Sequence, residues 1–148
     1  MLMTPYFKIR SFFISEDIVR KYVYILIGGA IGAVLRVVIK GIYLFNYSVN
    51  FPINTLIINI CGAFILMFFL TVAFEIAEFD ADIRLGISTG FLGAFTTFST
   101  LCKETTVLIF SGFYFSAFIY ILLCSVLGLA TAYCGYILAK KYITKVTK

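Results

Sequence analysis

The sequence predicts an all-α polytopic membrane protein with four transmembrane helices, the third broken at mid-membrane. Three observations predict it. Of 148 residues, 62% are hydrophobic and only 13% are charged. A soluble domain of this length cannot bury so much apolar surface. The apolar residues gather into four segments, each long enough for the roughly 20-residue helix that crosses a bilayer. Residues 90–100, GFLGAFTTFST, place Gly90, Gly93 and four hydroxyls (Thr96, Thr97, Ser99, Thr100) where a lipid-facing helix carries neither.

Residues 1–21 form an expected extramembrane lead. Lys8, Arg10, Glu16, Asp17, Arg20 and Lys21 interrupt its apolar residues, and no small-residue cleavage site follows, so it is not a clean secretory signal. Part of it suits an interfacial amphipathic helix. The first span covers about 22–44 and contains the pairs Gly28/Gly32 and Gly29/Ala33, a spacing that lets helix backbones approach. Arg36 lies late in this span. A central guanidinium costs about 2.5–3.5 kcal/mol on insertion scales. Arg36 therefore either snorkels with Lys40, one turn on, or lines a watery vestibule.

Residues 46–52 have turn chemistry, with asparagines and a proline just before the second span at about 53–74. That span has no charge but contains Asn59, whose amide can donate to an anion or tie two helices together. The acidic link 75–82 is aqueous. The third span, about 85–110, carries Gly86/Gly90 and the stretch quoted above. A break there exposes carbonyls before the gap and N–H groups after it. Such backbone survives at membrane depth only when buried in protein or lining a cavity. The competing expectation is an unbroken helix whose hydroxyls bond back to i−4 carbonyls.

A short link at Ser111-Gly112 leads to the fourth span, about 113–139, which is uncharged and contains Gly128/Ala132. Tyr120, Cys124, Gly128 and Thr131 share one face, with Ser125 beside it. This stripe is a pore wall or a helix interface. Residues 22–142 thus make one four-helix domain, and 143–148 a basic tail.

Several classes are excluded. There is no histidine, hence no histidine metal site, proton shuttle or general base. The net charge of +5 comes mainly from basic residues near the termini, which reads as membrane flanking and not as a nucleic-acid footprint. Cys61, Cys102, Cys124 and Cys134 form no CxxC pair and read as small hydrophobes. The acids lie mostly in links, so no catalytic constellation assembles and the chain is not expected to be an enzyme. The alternative function is a small four-helix exporter of the multidrug type. That class needs an intramembrane carboxylate for proton exchange. Spans one, two and four have none, and Glu104 is read as lying beyond the break, near Lys103.

Three motifs, in order on the first three spans, carry a resemblance: GGAIGAVLR (28–36), NTLIINICG (54–62) and GFLGAFTTFST (90–100). From about residue 23 to 142 the sequence resembles the Fluc/CrcB fluoride channels of the plasma membrane. The resemblance implies a fluoride-specific channel for passive export, which lowers fluoride toxicity. It implies an antiparallel dimer with two pores. It implies a structural sodium ion, not transported, held by the backbone carbonyls of Gly93 and Thr96. Phe98 would be the pore phenylalanine, whose positive ring edge can stabilise an anion. Asn59 would be the neighbouring donor, with Ser99 and Thr100 supplying hydroxyls. Tyr120 would belong to a polar track on the fourth helix, and Arg36 to the vestibule.

Three positions depart from the family pattern. Leu101 stands where a second phenylalanine is usual, Asn54 where glycine is frequent, and Cys124 where serine is frequent. Lysine and arginine are also unevenly spread. With four spans, Lys8, Arg10, Arg20, Lys21, Arg84, Lys140, Lys141, Lys145 and Lys148 fall on the side of the termini. The other side has at most Arg36, Lys40 and Lys103. Such a bias favours one insertion orientation, so the partner is either a second copy or an oppositely oriented homologue.

Overall fold

The computed structural model describes residues 5–41, 51–75 and 80–146. Its elements are α1 (Pro5–Gly41), α2 (Ile53–Glu75), α3 (Ala81–Leu85), a π-helical stretch (Gly86–Leu92), α4 (Gly93–Phe95), α5 (Phe98–Phe110) and α6 (Tyr114–Val146). Four candidate spans result: Ile18–Gly41, Ile53–Glu75, Ala81–Phe110 and Tyr114–Lys145. The chain is a multi-pass membrane protein. α1 runs without interruption from Pro5 through the lead into the first span. At 37 and 33 residues, α1 and α6 are about 55 and 50 Å long, against a hydrocarbon core of about 30 Å. The turn expected at 46–52 lies outside the described residues except for Phe51 and Pro52.

The third span is one helix in sequence and two in packing. Its first half lies on α1 and its second half on α6, while α2 lies mainly along α6. The first contact is unusually close. A Cβ on Gly28 would collide with the Gly86 carbonyl, and one on Gly32 with the Phe91 carbonyl. One on Gly90 would come within 2.6 Å of the Ile25 carbonyl. Small residues therefore bring backbone onto backbone, the way helices associate where lipid offers no hydrophobic drive. The fourth-span pair behaves differently, since nothing lies within 4 Å of the Cβ direction of Gly128.

The ends are fixed by polar chemistry. Asp80 caps α3, its Oδ1 accepting the N–H groups of Asp82 (2.8 Å) and Ile83 (3.3 Å). Those two hydrogen bonds, with Arg20 adding a smaller pull, hold the Asp80 carboxyl below its ordinary value. Arg20 also pairs with Asp82, at 2.5 Å. Lys140 pairs with Glu75, and the Arg84 guanidinium stacks 4.4 Å from the Phe74 ring centroid. α5 ends in a Schellman motif: the Phe113 N–H donates to the Leu108 carbonyl (2.9 Å) and the Gly112 N–H to Ile109 (3.0 Å). This geometry needs the left-handed φ of 82° that Gly112 adopts.

Candidate functional site

The third helix breaks at Thr96 and Thr97, near the middle of the span. Thr96 ends α4 with an extended backbone, φ −73° and ψ 157°. Thr97 is also extended, at φ −150° and ψ 115°, and is the N-cap of α5. The break is therefore real, but its agent is not the glycine pair. Gly90 lies within the π-helical stretch, and Gly93 starts α4 with ordinary helical angles. Gly90 serves the contact with α1. Gly62 on α2 leaves room for the break, since a Cβ there would collide with the Thr96 methyl.

Asn59 holds the gap open. Its Oδ1 accepts the Thr97 N–H at 2.9 Å, and its Nδ2 donates to the Thr97 carbonyl at 3.1 Å. A side-chain amide thus pairs with both polar groups of one peptide residue, as a neighbouring strand would. Without the break, the Thr97 N–H would close a helical turn on the Gly93 carbonyl. Directed at Asn59, it leaves that carbonyl without its helical donor. The amide nitrogen carries two hydrogens, and the Thr97 bond uses one.

Thr97 itself organises the start of α5. Its buried hydroxyl oxygen accepts the Thr100 N–H at 3.2 Å and donates to Thr100 Oγ1 at 2.9 Å. It also lies 3.3 Å from Ser99 Oγ. Within residues 90–100 only Thr96 Oγ1 bonds back to an i−4 carbonyl, that of Leu92 at 2.9 Å, and this does not keep the helix whole. The signal for Thr97 is local: a hydroxyl residue directly before an apolar helical run is an N-cap pattern.

The expected site residues separate into two groups. Gly93, Thr96, Phe98, Ser99, Thr100 and Asn59 gather around the break. The Phe98 ring is 79% exposed in the single chain. Leu101 and Tyr120 point elsewhere, into an apolar cluster with Leu56, Leu108, Ala117 and Cys124. Tyr120 is fully buried. Phe51 meets its ring edge-on at 5.6 Å. Of the fourth-helix stripe, Tyr120 lies in this core, and Thr131 donates back to the Leu127 carbonyl of its own helix at 2.8 Å while lying 3.3 Å from the Ile60 carbonyl of α2. Arg36 is half-buried and forms no ion pair among the described residues.

A second polar centre lies at the end of the bundle away from the termini. Glu104 on α5 accepts from three other helices. Lys40 Nζ (2.8 Å) and Thr55 Oγ1 (3.0 Å) reach its Oε1, and Tyr120 OH (2.8 Å) reaches its Oε2. Glu104 lies beyond the break beside Lys103, as expected, but its partners come from distant parts of the chain. Its carboxylate sits inside the third span, at the junction of all four helices.

The donors present bear on a bound ion. Among the described residues no three Asp, Glu, His or Cys side chains cluster to hold a metal. The Gly93 and Thr96 carbonyls, at the C-terminal end of a half-helix, are neutral hard oxygens with partial negative charge. That donor set fits a small monovalent cation such as sodium, and one chain supplies only part of a coordination shell.

The same chain regions match known proteins. The family model described as CrcB-like protein, Camphor Resistance (CrcB), matches residues 23–136. The chain belongs to the CrcB-like family. Curated relatives agree. A protein of Hydrogenobaculum sp. named Fluoride-specific ion channel FluC is 40% identical over 107 residues, covering 72% of this chain and 87% of its own. One of Staphylococcus saprophyticus, named Fluoride-specific ion channel FluC 2, is 36% identical over 121 residues, 82% and 98% of the two chains. A third of that name, from Carboxydothermus hydrogenoformans, is 40% identical over 118 residues, 80% and 86%. The CrcB-like match includes the first-span glycines, Asn59, the break and Tyr120. It leaves out the N-terminal lead.

Proposed function

We propose that this chain is the subunit of a fluoride-specific ion channel in the cell membrane. It lets fluoride leave the cytoplasm passively and catalyses no reaction. The observation that carries this reading is the Asn59–Thr97 clamp across a mid-span break, in a chain whose relatives bear the name fluoride channel over nearly their whole length. Fluoride is small and strongly hydrated. To enter a narrow path it must exchange water for other donors. The remaining Asn59 N–H and the Ser99 and Thr100 hydroxyls are such donors. The edge of the Phe98 ring adds partial positive charge without a cation that would trap the ion. Arg36 draws anions toward the mouth.

The assembly in this reading is a dimer with one chain inverted, the partner being a second copy or an oppositely oriented homologue. In support, only 6% of the first span's apolar window and 11% of the fourth's are buried within the chain. Phe98 and Gly93 are also exposed beside the break. The Gly93 and Thr96 carbonyls of two chains would hold a structural sodium ion between them. When bound, sodium supplies a fixed positive charge against the C-terminal ends of the two half-helices.

A small proton-coupled exporter needs a carboxylate free to exchange protons with its cargo. Glu104 instead has three donors on its two oxygens. Efflux from liposomes bearing the purified protein tests the proposal. Fluoride should leave rapidly and chloride should not. Equal passage of both, or of neither, would defeat it.

A further inference from the structure

Glu104 poses a difficulty for any anion path along this bundle. A carboxylate close to a passing anion repels it, and more strongly near a protein surface than in bulk water. Among the described residues the groups bonded to Glu104 are Lys40 from α1, the uncharged Thr55 from α2, and Tyr120 from α6. Lys103 lies next to it on α5 and is exposed. Of these, Lys40 alone brings a positive charge into hydrogen-bond contact with the carboxylate, at 2.8 Å.

Lys40 is also fixed in place. It lies in the last turn of α1, where the helix dipole favours a cation. Its own carbonyl accepts from Asn54 Nδ2 at 3.2 Å, so the end of α1 is tied to the start of α2. The Lys40 side chain is 43% exposed and the Glu104 side chain 21%. The pair therefore stands at the edge of the bundle with the ammonium as its outer member. An ammonium has three donors, and the Glu104 bond uses one.

We propose that Lys40 is a positioning residue for permeation. It cancels the Glu104 charge, holds that carboxylate toward Thr55 and Tyr120, and presents the remaining ammonium hydrogens to incoming anions. Thr55 and Tyr120 alone would orient the carboxylate but leave its charge uncovered at the mouth. This inference rests on the anion-channel reading above.

The experiment is fluoride efflux from liposomes carrying equal amounts of folded protein, judged by a single symmetrical peak in detergent. Wild type is measured first, and a wild type that passes no fluoride defeats the channel reading itself. With an active wild type, Lys40→Met should slow efflux about tenfold or more. Lys40→Arg, which keeps the charge, should retain most of it. Lys40→Met combined with Glu104→Gln should recover much of the loss, because the amide removes the charge, keeps one acceptor oxygen, and can donate from its NH2 to the oxygen of the Thr55 or Tyr120 hydroxyl. A purely structural role for Lys40 predicts no such recovery. Unchanged efflux in Lys40→Met, or a double variant as slow as Lys40→Met alone, would overturn the inference.

Discussion

Phe98 and Asn59 show how much a single side chain carries here. The Phe98 ring lies beside a gap in the backbone with four-fifths of its surface uncovered by its own chain. An apolar ring left open in this way contributes little to folding the subunit. Phe98→Ile should therefore abolish or strongly reduce fluoride flux while leaving protein yield and thermal stability close to wild type. Normal flux would remove Phe98 from the path. Asn59 differs because it serves the fold as well. Asn59→Asp replaces the group that donates to the Thr97 carbonyl with one that repels it. Leaving that buried carbonyl unpaired costs about 1–3 kcal/mol. Both flux and melting temperature should fall, and a variant that conducts normally at wild-type stability would refute the assignment.

Among the elements, the third helix best separates what could be read from the sequence from what could not. Four spans were legible because hydropathy over about 20 residues is a local property. So was the existence of a break, because hydroxyls crowded together in an apolar run have few other uses. Its agent was not legible. Glycines and threonines stand side by side in that stretch, yet Gly90 and Gly93 are helical, and the extended residues are Thr96 and Thr97. The reason is a partner distant in sequence: Asn59 lies 38 residues from Thr97, and Gly62 provides the space. The partners of Glu104 were not legible for the same reason, since its three donors come from three other helices. Tyr120 was found by its spacing, but its depth in the core was not. The glycine contacts also separate folding from assembly. Gly32→Leu should cost about 1–3 kcal/mol or more, because the added side chain meets the Phe91 backbone, and little folded protein should be recovered. Gly93→Ala meets nothing closer than 3.8 Å. It should give a folded chain, and any defect should appear as lost dimer in detergent. Normal yield of Gly32→Leu would contradict the close contact described here.

For the whole molecule, the open question is how copies sit in the membrane. Arg20, Arg84 and Lys140 lie at the end that carries the termini, and Lys40 at the other. The insertion rule counts lysines and arginines near the spans, and their acidic partners contribute little. Most copies should therefore insert with both termini in the cytoplasm, and the working pair should join this chain to an oppositely oriented homologue. Labelling a cysteine added to the C-terminal tail, in intact cells making this chain alone, measures the ratio. Labelling of about half the copies from outside would favour a plain homodimer and defeat the prediction.

The meeting of α1 with the first half of the third helix also limits how this protein can change by descent. A bulky replacement in a side-chain core can be answered by a smaller neighbour. At Gly28 and Gly32 the obstacle is the carbonyl of Gly86 or Phe91, and every amino acid carries the same carbonyl. No second substitution opposite can make room. These positions are closed to drift, whereas Val34 and Val37 on the same helix touch no such backbone obstacle within the chain and are exposed there. Two copies descended from one ancestor could diverge widely on their outer faces and still share this seam unaltered.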